Sequence, residues 1–429
     1  MTLETNGAVK ADAQPNGAAP RAATDEAAPQ SNGNGAGRPS RHVNIAVIGT
    51  GFSGVGMAIK LKQAGRTDFA VFEKANDVGG TWRENTYPGI ACDVPSNLYS
   101  FSFALNPNWS RSYSPGQEIW DYIRNTAKKF DVLKFIKFNT EVTDAAWDDE
   151  AQIWQLQTGA GPFTANFVIV AMGHLSEPLI PDLPGIDKFQ GEAWHSQQWR
   201  HDVDLTGKRV AVVGTGASAI QFVPQIVDQV KELHLYQRTP PWILPRSERA
   251  LTSFEHKLYR YLPFTQKLVR GMIYSAMETR VLGFVKHQRL MKVMQKVAEL
   301  HIRSQVKDPE LRKKVTPDYT IGCKRVLMAN NWYPAIVKPN VEVITSGVSE
   351  VTEHSVLASD GTEREVDAII WGTGFYTTTN PAWDHFRGRD GRTLTETWAP
   401  RGMEAMLGMV TPNFPNMFIM LGPNSGLGR

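Results

Sequence analysis

Two glycine-rich stretches, "VIGTGFSGVG" at 47–56 and "VVGTGASAIQ" at 212–221, have residue types and spacing that suit phosphate binding. Each follows a run of apolar residues typical of a buried parallel strand and precedes a segment with helical character. A glycine turn lets the backbone bend sharply and lets a pyrophosphate approach the amides at a helix N-terminus, where the helix dipole favours anions. The sequence therefore predicts two dinucleotide-binding turns. Their candidate contacts are Gly49, Gly51, Phe52, Ser53 and Gly54 in the first and Gly214, Gly216, Ala217 and Ser218 in the second.

The two turns differ in the charge that follows them at the end of the next strand. Glu73 stands 24 residues after Gly49, whereas Arg238 stands 24 residues after Gly214. A carboxylate accepts hydrogen bonds from a ribose diol, and a guanidinium suits a 2′-phosphate. The pattern favours FAD at the first turn and NADPH at the second, although a solvated strand-end arginine would also fit position 238. Two such sites suggest hydride transfer from nicotinamide to flavin.

The bulk composition excludes several other classes of protein. The chain has 429 residues, 41% of them hydrophobic, and a formal charge of +3, which is too small to argue for a nucleic-acid partner. No stretch approaches the roughly 20 apolar residues of a membrane span. Cys92 and Cys323 form no CxxC pair, so we expect no disulfide relay, no metal site and a cytoplasmic location.

Two longer stretches, "FQGEAWHSQQW" and "GTWRENTYPGIACD", resemble the signatures of class B flavoprotein monooxygenases, specifically the Baeyer-Villiger monooxygenase family within the flavin-containing monooxygenase superfamily. "FQGEAWHSQQW" at 189–199 is similar to the family's FxGxxxHxxxW signature. "GTWRENTYPGIACD" at 80–93 is similar to its second signature, GxW, four residues, YPG, three residues and Asp. The resemblance runs from about residue 42 to the C-terminus, and "YQRTPPWILPR" at 236–246 further resembles members acting on aryl ketones such as hydroxyacetophenones.

The resemblance implies a reaction and roles for particular residues. Such enzymes use FAD, NADPH and O2 to insert one oxygen atom beside a ketone carbonyl, through a flavin C4a-peroxide, and they release an ester or lactone. Arg325 in "GCKRVL" would stabilise the anionic species with Asp93 as its partner, and Lys324 would join Arg238 on the 2′-phosphate. His195 would couple domain movement to NADPH binding. Without the resemblance, Asp93 would pass for a turn cap and Arg325 for a surface cation.

The same resemblance supplies further candidates. Trp82 and Tyr87 are as compatible with core aromatic residues as with flavin contacts. The additional cofactor-binding candidates are Gly80, Thr81, Trp82 and Tyr87, together with Gly372, Thr373 and Gly374 in "WGTGFY". The candidates of the linker signature are Phe189, Gly191, His195 and Trp199.

The order of these motifs predicts an α/β fold with two Rossmann-like dinucleotide-binding domains. Residues 1–41, nearly free of large apolar side chains, are expected to be a disordered tail. The expected domains are a first part of the FAD domain at 42–185, an NADPH domain at 186–365 with a helical insert at about 246–315, and a return to the FAD domain at 366–429.

The insert has its own character, with 16 Lys and Arg against 6 Asp and Glu between residues 246 and 314. Helical spacing of apolar residues predicts one buried face and one basic face, which would form part of the substrate site. The residues of the predicted buried face are Leu290, Val293, Met294, Val297 and Leu300. A basic amphipathic helix could instead lie on a membrane surface, which leaves weak peripheral membrane contact as an alternative.

Two departures from the family pattern leave other functions open. Arg200 follows Trp199, where Pro or Asp is usual, and the sequence stops at "NMFIMLGPNSGLGR", where family members continue. An incomplete flavin domain would expose apolar surface, so we expect lowered stability or weak flavin retention. The alternatives are a flavin-containing monooxygenase that oxygenates nitrogen or sulfur, and a truncated nucleotide-binding fragment without productive turnover.

Overall fold

The computed structural model describes residues 41–285 and 288–425, and it describes side chains outside 280–290. The tail predicted for 1–41 therefore lies outside the described residues, except for Arg41, which begins the first strand. Strands and helices are labelled below in chain order.

The first sheet has eight strands, and its centre is parallel. β1 lies between β6 and β2 and runs parallel to both, which places the first glycine turn at the carboxyl end of a central strand. The order is β17-β4-β5-β6-β1-β2-β3, with β18 also paired to β6. The strands are β1 Arg41–Ile48, β2 Phe69–Phe72, β3 Ile136–Lys137, β4 Val142–Asp148, β5 Ile153–Thr158, β6 Phe163–Val170, β17 Phe386–Arg387 and β18 Met417–Ile419.

The second sheet has five strands, all parallel, in the order β12-β9-β8-β16-β7. Its middle strand β8 is apolar and buried, as expected for a strand covered on both faces. The strands are β7 Glu192–His195, β8 Arg209–Val213, β9 Glu232–Tyr236, β12 Val341–Ile344 and β16 Ala368–Trp371. The prediction of an α/β fold with two Rossmann-like units is confirmed.

The return from the second sheet to the first falls later than the sequence predicted. β16 pairs with both β8 and β7, so the chain after residue 366 still belongs to the second sheet. The four residues of β16 are all buried and apolar, and they fill the place between two parallel strands. The next strand of the first sheet is β17, which begins at Phe386.

Shorter strands and the helices make up the rest of the described fold. The short strands β10 Ile243–Leu244 and β11 Leu327–Met328 pair in parallel, and β13 Val348–Val351, β14 Ser355–Ala358 and β15 Glu363–Glu365 form an antiparallel sheet. The helices are α1 Phe52–Gln63, α2 Thr81–Glu84, α3 Gly116–Lys129, α4 Ala219–Ile226, α5 Ser253–Tyr261, α6 Pro263–Val285, α7 Gln288–Gln305, α8 Pro309–Val315, α9 Trp332–Ile336 and α10 Leu394–Trp398. Within the described ranges no helix is long and apolar enough to cross a membrane.

Helix α7 buries a different face from the one predicted. Val293, Val297 and Leu300, predicted to be buried, are 60%, 42% and 64% exposed. The buried residues are instead Ala298 and Ile302, with Met291 about two turns before Ala298. Of the predicted face, Met294 packs partly against the same core. Both stripes have helical spacing and both are apolar, so the neighbouring elements, not the periodicity, decide which one enters the core. Leu290 lies among the residues whose side chains are not described.

Candidate active site

The first glycine turn is closed by backbone contacts that leave no room for side chains. Gly49 has φ +102°, and a Cβ atom on Gly54 would lie 1.8 Å from the Gly49 carbonyl oxygen. Gly51 meets only the Gly80 Cα atom, at 3.7 Å from its own hypothetical Cβ, so its amide edge is free to face a ligand. Helix α1 starts at Phe52, directly followed by Ser53, and therefore presents its N-terminal amides at this turn.

The second signature packs on the mouth of this turn. Gly79 N donates to Thr50 O at 3.0 Å, and a Cβ atom on Gly80 would lie 2.9 Å from the Gly51 Cα atom. Helix α2 begins at the next residue, Thr81. This close approach brings residues 80–82 beside the N-terminus of α1.

Glu73 is buried directly beneath the turn. Its side chain is 5% exposed, and one carboxylate oxygen accepts from Thr50 N at 3.0 Å and from the Thr50 hydroxyl. The other oxygen accepts from Ala75 N at 2.9 Å and from the Arg83 guanidinium at 3.2 Å. The acid predicted to meet a ribose is thus held at the turn by four hydrogen bonds from within its own unit.

The second glycine turn is more open. A Cβ atom on Gly214, whose φ is +103°, would lie 2.5 Å from the Gly372 carbonyl oxygen, but Gly216 has only that oxygen within 4 Å, at 3.9 Å. Gly216 and Ala217 are exposed, and Ser218 is half-buried just before helix α4. The turn therefore offers free amide groups to solvent or to a ligand.

The Gly372–Gly374 segment connects the two sheets. After β16 it passes the second glycine turn, and then runs antiparallel to the connection that follows β6. Leu179 N donates to Gly374 O at 2.9 Å, and the Thr373 hydroxyl donates to Leu179 O. The bridge between Pro178 and Phe375 extends this pairing. Hydrogen bonds thus hold the segment after β16 against the connection that follows β6.

His195 lies where these crossings meet the second sheet. It ends β7, pairs in register with Trp371, and has no exposed surface. Its Nδ1 accepts from Gln197 N at 3.2 Å, and its ring packs edge-on against Phe375 at 5.4 Å. Burial lowers the pKa of His195, and a hydrogen bond with the Gly374 backbone partly opposes that shift. A neutral, enclosed ring suits a structural link better than an acid or base.

The rest of the linker signature packs along the same sheet. A Cβ atom on Gly191 would lie 2.5 Å from Asp367 O and 2.6 Å from the Phe189 ring. Trp199 packs edge-on against Trp194, with ring centroids 5.9 Å apart, and reaches helix α4 through Phe222 at 5.2 Å. The signature residues therefore fix the chain between β7 and α4.

Arg238 and Lys324 are both exposed and belong to one neighbourhood. The Lys324 ammonium lies over the Tyr319 ring at 5.1 Å, and the Tyr319 hydroxyl donates to Pro240 O at 3.1 Å. Pairing of β10 with β11 holds the two segments side by side.

Asp93 and Arg325 come together across 232 residues of sequence as a hydrogen-bonded ion pair. Asp93 is the last residue of the second signature, which packs on the first turn through Gly80, and Arg325 precedes β11 in the second unit. The Arg325 side chain is 59% exposed, so one face of the guanidinium is available to a bound molecule. The pair therefore joins the second signature, which packs on the first glycine turn, to the segment before β11.

Four residues near this pair escaped the sequence analysis. Burial raises the pKa of Cys92 to about 12, and it also raises the pKa of Tyr99, which accepts a hydrogen bond from Trp82 Nε1 at 3.0 Å.

His174 follows β6, and burial, reinforced by the nearby charge of Arg325, lowers its pKa. The rule that ligands bind at the carboxyl ends of parallel strands could have identified His174. Gln221 in α4 contacts the second signature through hydrogen bonds to Ala91.

The chain matches known proteins over most of its length. The model of the flavin-binding monooxygenase-like family matches residues 42–386. A Baeyer-Villiger monooxygenase of Pseudomonas aeruginosa is 53% identical over 391 residues, which are 91% of this chain and 74% of the relative. A cyclohexanone monooxygenase with bound ε-caprolactone superposes with a TM-score of 0.80 at 28% identity, covering 90% of this chain and 83% of that one. OTEMO in complex with FAD and NADP gives 0.78 at 28%, covering 90% and 81%.

The chain therefore belongs to the flavin-binding monooxygenase-like family. Its similarity to enzymes of the Baeyer-Villiger type confirms the predicted class, a flavoprotein monooxygenase of the Baeyer-Villiger type. Resemblance to the aryl-ketone subgroup stays a prediction. No group of three or more His, Cys, Asp or Glu residues in the described part of the chain could hold a metal ion.

Proposed function

We propose that this chain binds FAD at the first glycine turn and NADPH at the second, and uses O2 to convert a ketone into an ester or lactone. The observation that carries the proposal is the Asp93–Arg325 ion pair, which joins the second signature to the segment before β11 and leaves the cation partly exposed. The family resemblance alone identifies Asp93 and Arg325 only as matches to family sequence segments and does not show that they touch. Their contact gives the site a charge suited to anionic intermediates.

The first turn fits a flavin nucleotide. Side chains at Gly49, Gly54 and Gly80 would collide with neighbouring backbone, Gly51 is open towards a ligand, and the buried Glu73 lies beneath. Thr81 and Trp82 follow directly in helix α2, whereas Tyr87 is buried against helix α4. Bound FAD would supply hydride acceptance and oxygen activation, while the chain holds the nucleotide and excludes water.

The second turn fits NADPH. Gly214, Gly216, Ala217 and Ser218 would hold the pyrophosphate, and the exposed cations Arg238 and Lys324 would bind the 2′-phosphate. The strand-end arginine that could have been a mere solvated charge has Lys324 in its neighbourhood through Tyr319. This arrangement favours the phosphorylated nucleotide over its unphosphorylated form.

Arg325 would act electrostatically on anionic species bound at this site. Its guanidinium is a planar cation whose N–H donors match the geometry of an anionic group. Asp93 would fix its orientation, and His195 would link the Gly374 crossing to β7 as the two units adjust around NADPH. A preorganised cation loses less energy to reorganisation than a mobile one.

The substrate and setting belong to the same proposal. A small-molecule ketone, of the aryl class that "YQRTPPWILPR" suggests, would bind beside the helical insert. The units would divide as 42–185 with the segment after the second sheet, and 186–371 with the insert. Two free cysteines support a cytoplasmic setting, and the basic insert supports at most weak contact with a membrane surface.

The test replaces Arg325 by Ala in protein loaded with FAD, with NADPH as reductant and phenyl ketones, cyclohexanone and thioanisole as separate substrates. We expect wild-type protein to form esters or lactones. Arg325→Ala should form them about 100 to 1000 times more slowly, as when a preorganised charge-stabilising group is lost. Arg401→Ala, at an exposed site, is the matched control.

Three outcomes would overturn the proposal. Sulfoxide formation without any ester from wild-type protein would indicate a heteroatom-oxygenating enzyme. NADPH oxidation that yields only hydrogen peroxide would indicate a nucleotide-binding fragment without productive turnover. Unchanged ester formation in Arg325→Ala would remove the role given to the ion pair.

A further inference from the structure

Gln221 joins the second glycine turn to the chain that carries Asp93. Its Oε1 atom accepts from Ala91 N at 3.2 Å, and its Nε2 atom donates to Ala91 O at 3.0 Å. The same Oε1 atom accepts from the Tyr87 hydroxyl at 3.2 Å. One side chain therefore satisfies both backbone groups of a residue 130 positions away and a buried tyrosine.

The segment from Thr86 to Asp93 packs closely on helix α4 around this side chain. A Cβ atom on Gly89, whose φ is +79°, would lie 2.7 Å from the backbone carbonyl oxygen of Gln221. At the start of the segment, the Thr86 hydroxyl bonds to the His201 ring at 2.9 Å. The glycine is thus needed for backbone contact with the helix as well as for its turn conformation.

Tyr87 extends the contact to the glycine turn itself. Burial raises its pKa to about 12, and a side-chain hydrogen bond with Ser218 opposes the rise. Ser218 directly precedes α4, and Gln221 lies within the first turn of that helix. A ligand that reorients this helix N-terminus would therefore pull on both Tyr87 and Ala91.

We propose that Gln221 is a positioning residue that couples occupancy of the second glycine turn to the placement of Asp93, and through it of Arg325. The inference rests on the proposed function for the role of the ion pair, but the coupling itself is independent of the reaction. Ala91 lies two residues before Asp93, so fixing both its backbone groups fixes the direction in which the chain enters the ion pair. Because Arg325 is largely exposed, Asp93 provides much of its anchoring.

Three variants separate the polar contacts from the shape of the side chain. Gln221→Met keeps the length and removes every hydrogen bond to Ala91 and Tyr87. Gln221→Glu keeps the acceptor for Ala91 N–H but lacks the donor to Ala91 O, so it should behave as a partial rescue. Gln229→Met, at an exposed position just beyond α4, is the matched control.

The first readout is amide hydrogen exchange of the peptide covering residues 86–93 in FAD-loaded protein, with and without NADP+. In wild-type protein, NADP+ should slow exchange in this peptide. Gln221→Met should exchange at least tenfold faster and lose the response to NADP+, Gln221→Glu should fall between, and Gln229→Met should match wild type. The Ala91 amide is the hydrogen that the Gln221 side chain holds, which makes the peptide a direct probe.

The second readout is steady-state kinetics with the best ketone. Gln221→Met should lower kcat for ester formation about tenfold, raise the fraction of NADPH oxidised to hydrogen peroxide, and leave the KM for NADPH within threefold. If Gln221 had a purely structural role, Gln221→Met would lower thermal stability and FAD content without separating the effect on kcat from the effect on the KM for NADPH.

The outcomes distinguish the two proposals. Unchanged exchange and unchanged kcat in Gln221→Met would overturn the positioning role. A loss of NADP+ affinity that accounts for the whole kinetic effect would also overturn it and would make Gln221 a nucleotide ligand. If wild-type protein formed no ester, the proposed function would fail, while the exchange response to NADP+ would still decide the coupling.

Discussion

The two glycine turns share a sequence pattern but differ in how the structure encloses them. The first is sealed by its own unit: Glu73 is 5% exposed with both oxygens bonded, and Gly54 has no room for a Cβ atom. The second leaves Gly216 and Arg238 exposed, and its third position is occupied by Ala219. An enclosed turn suits a nucleotide that stays bound, and an open one suits a nucleotide that exchanges in each cycle. The predictions below test this difference, from the largest expected effect to the smallest.

Adding one methyl group should separate the turns most strongly. Gly54→Ala would place its Cβ atom 1.8 Å from the Gly49 carbonyl oxygen, so helix α1 must move away from β1. We expect a loss of about 3 kcal/mol in the free energy of unfolding, together with loss of FAD. Gly216→Ala, whose nearest neighbour would lie 3.9 Å away, should stay within about 0.5 kcal/mol. Urea unfolding followed by tryptophan fluorescence measures both, and equal losses would refute the contrast.

Removing the cation at the second turn should change nucleotide preference without affecting the first turn. Arg238→Ala would remove a charge-assisted contact with the 2′-phosphate, which should raise the KM for NADPH about 10 to 100 times. The KM for NADH should change less than threefold, and FAD content should not change. Lys324→Ala should act in the same direction with a smaller effect, since its ammonium is partly engaged with Tyr319. Parallel losses with both nucleotides would place Arg238 outside the phosphate site.

The buried histidine that links the units should make stability depend on pH. Burial lowers the pKa of His195 below its ordinary value near 6.5, so the unfolded chain binds a proton at a pH where the folded chain does not. The free energy of unfolding should therefore fall as the pH decreases below 6.5. The C–H resonances of this histidine should titrate below that value in an NMR experiment.

Substitution of His195 tests whether this residue causes the pH dependence of the free energy of unfolding. His195→Gln should flatten the decrease below pH 6.5, leaving the contribution of His174, whose pKa burial also lowers. His354→Gln, at an exposed position, is the control and should keep the wild-type slope. A wild-type slope in His195→Gln would show that other groups carry the effect.

The two thiols should report the enclosure on either side of the ion pair. Cys92, before Asp93, is 3% exposed and burial raises its pKa to about 12, whereas Cys323, near Arg325, is exposed. A disulfide reagent at pH 8 should label one thiol per chain rapidly in folded protein and the second only in urea. Cys323→Ser should abolish the rapid phase with no effect on stability, and rapid labelling that persists in this variant would contradict the enclosure of Cys92.

Local patterns predicted the βα units well because their physical causes are local. A continuous apolar run, a glycine turn and a helical segment specify a strand, its bend and its helix within 20 residues, and both turns formed as expected. The insert is helical where its composition predicted helices. In contrast, β16 extended the second sheet past residue 366, since sheet membership depends on which strands accept a partner.

The sequence by itself determined the fold class, the two phosphate-binding turns and, through its signatures, the residue types of the site. Only the tertiary structure decided that Asp93 meets Arg325, that Gln221 holds Ala91, and that Val297 faces solvent while Ala298 is buried. The physical reason is the distance along the sequence over which the deciding interactions act. Backbone conformation follows from neighbours a few residues away, whereas an ion pair across 232 residues and the choice between two apolar helix faces depend on the packing of the whole chain.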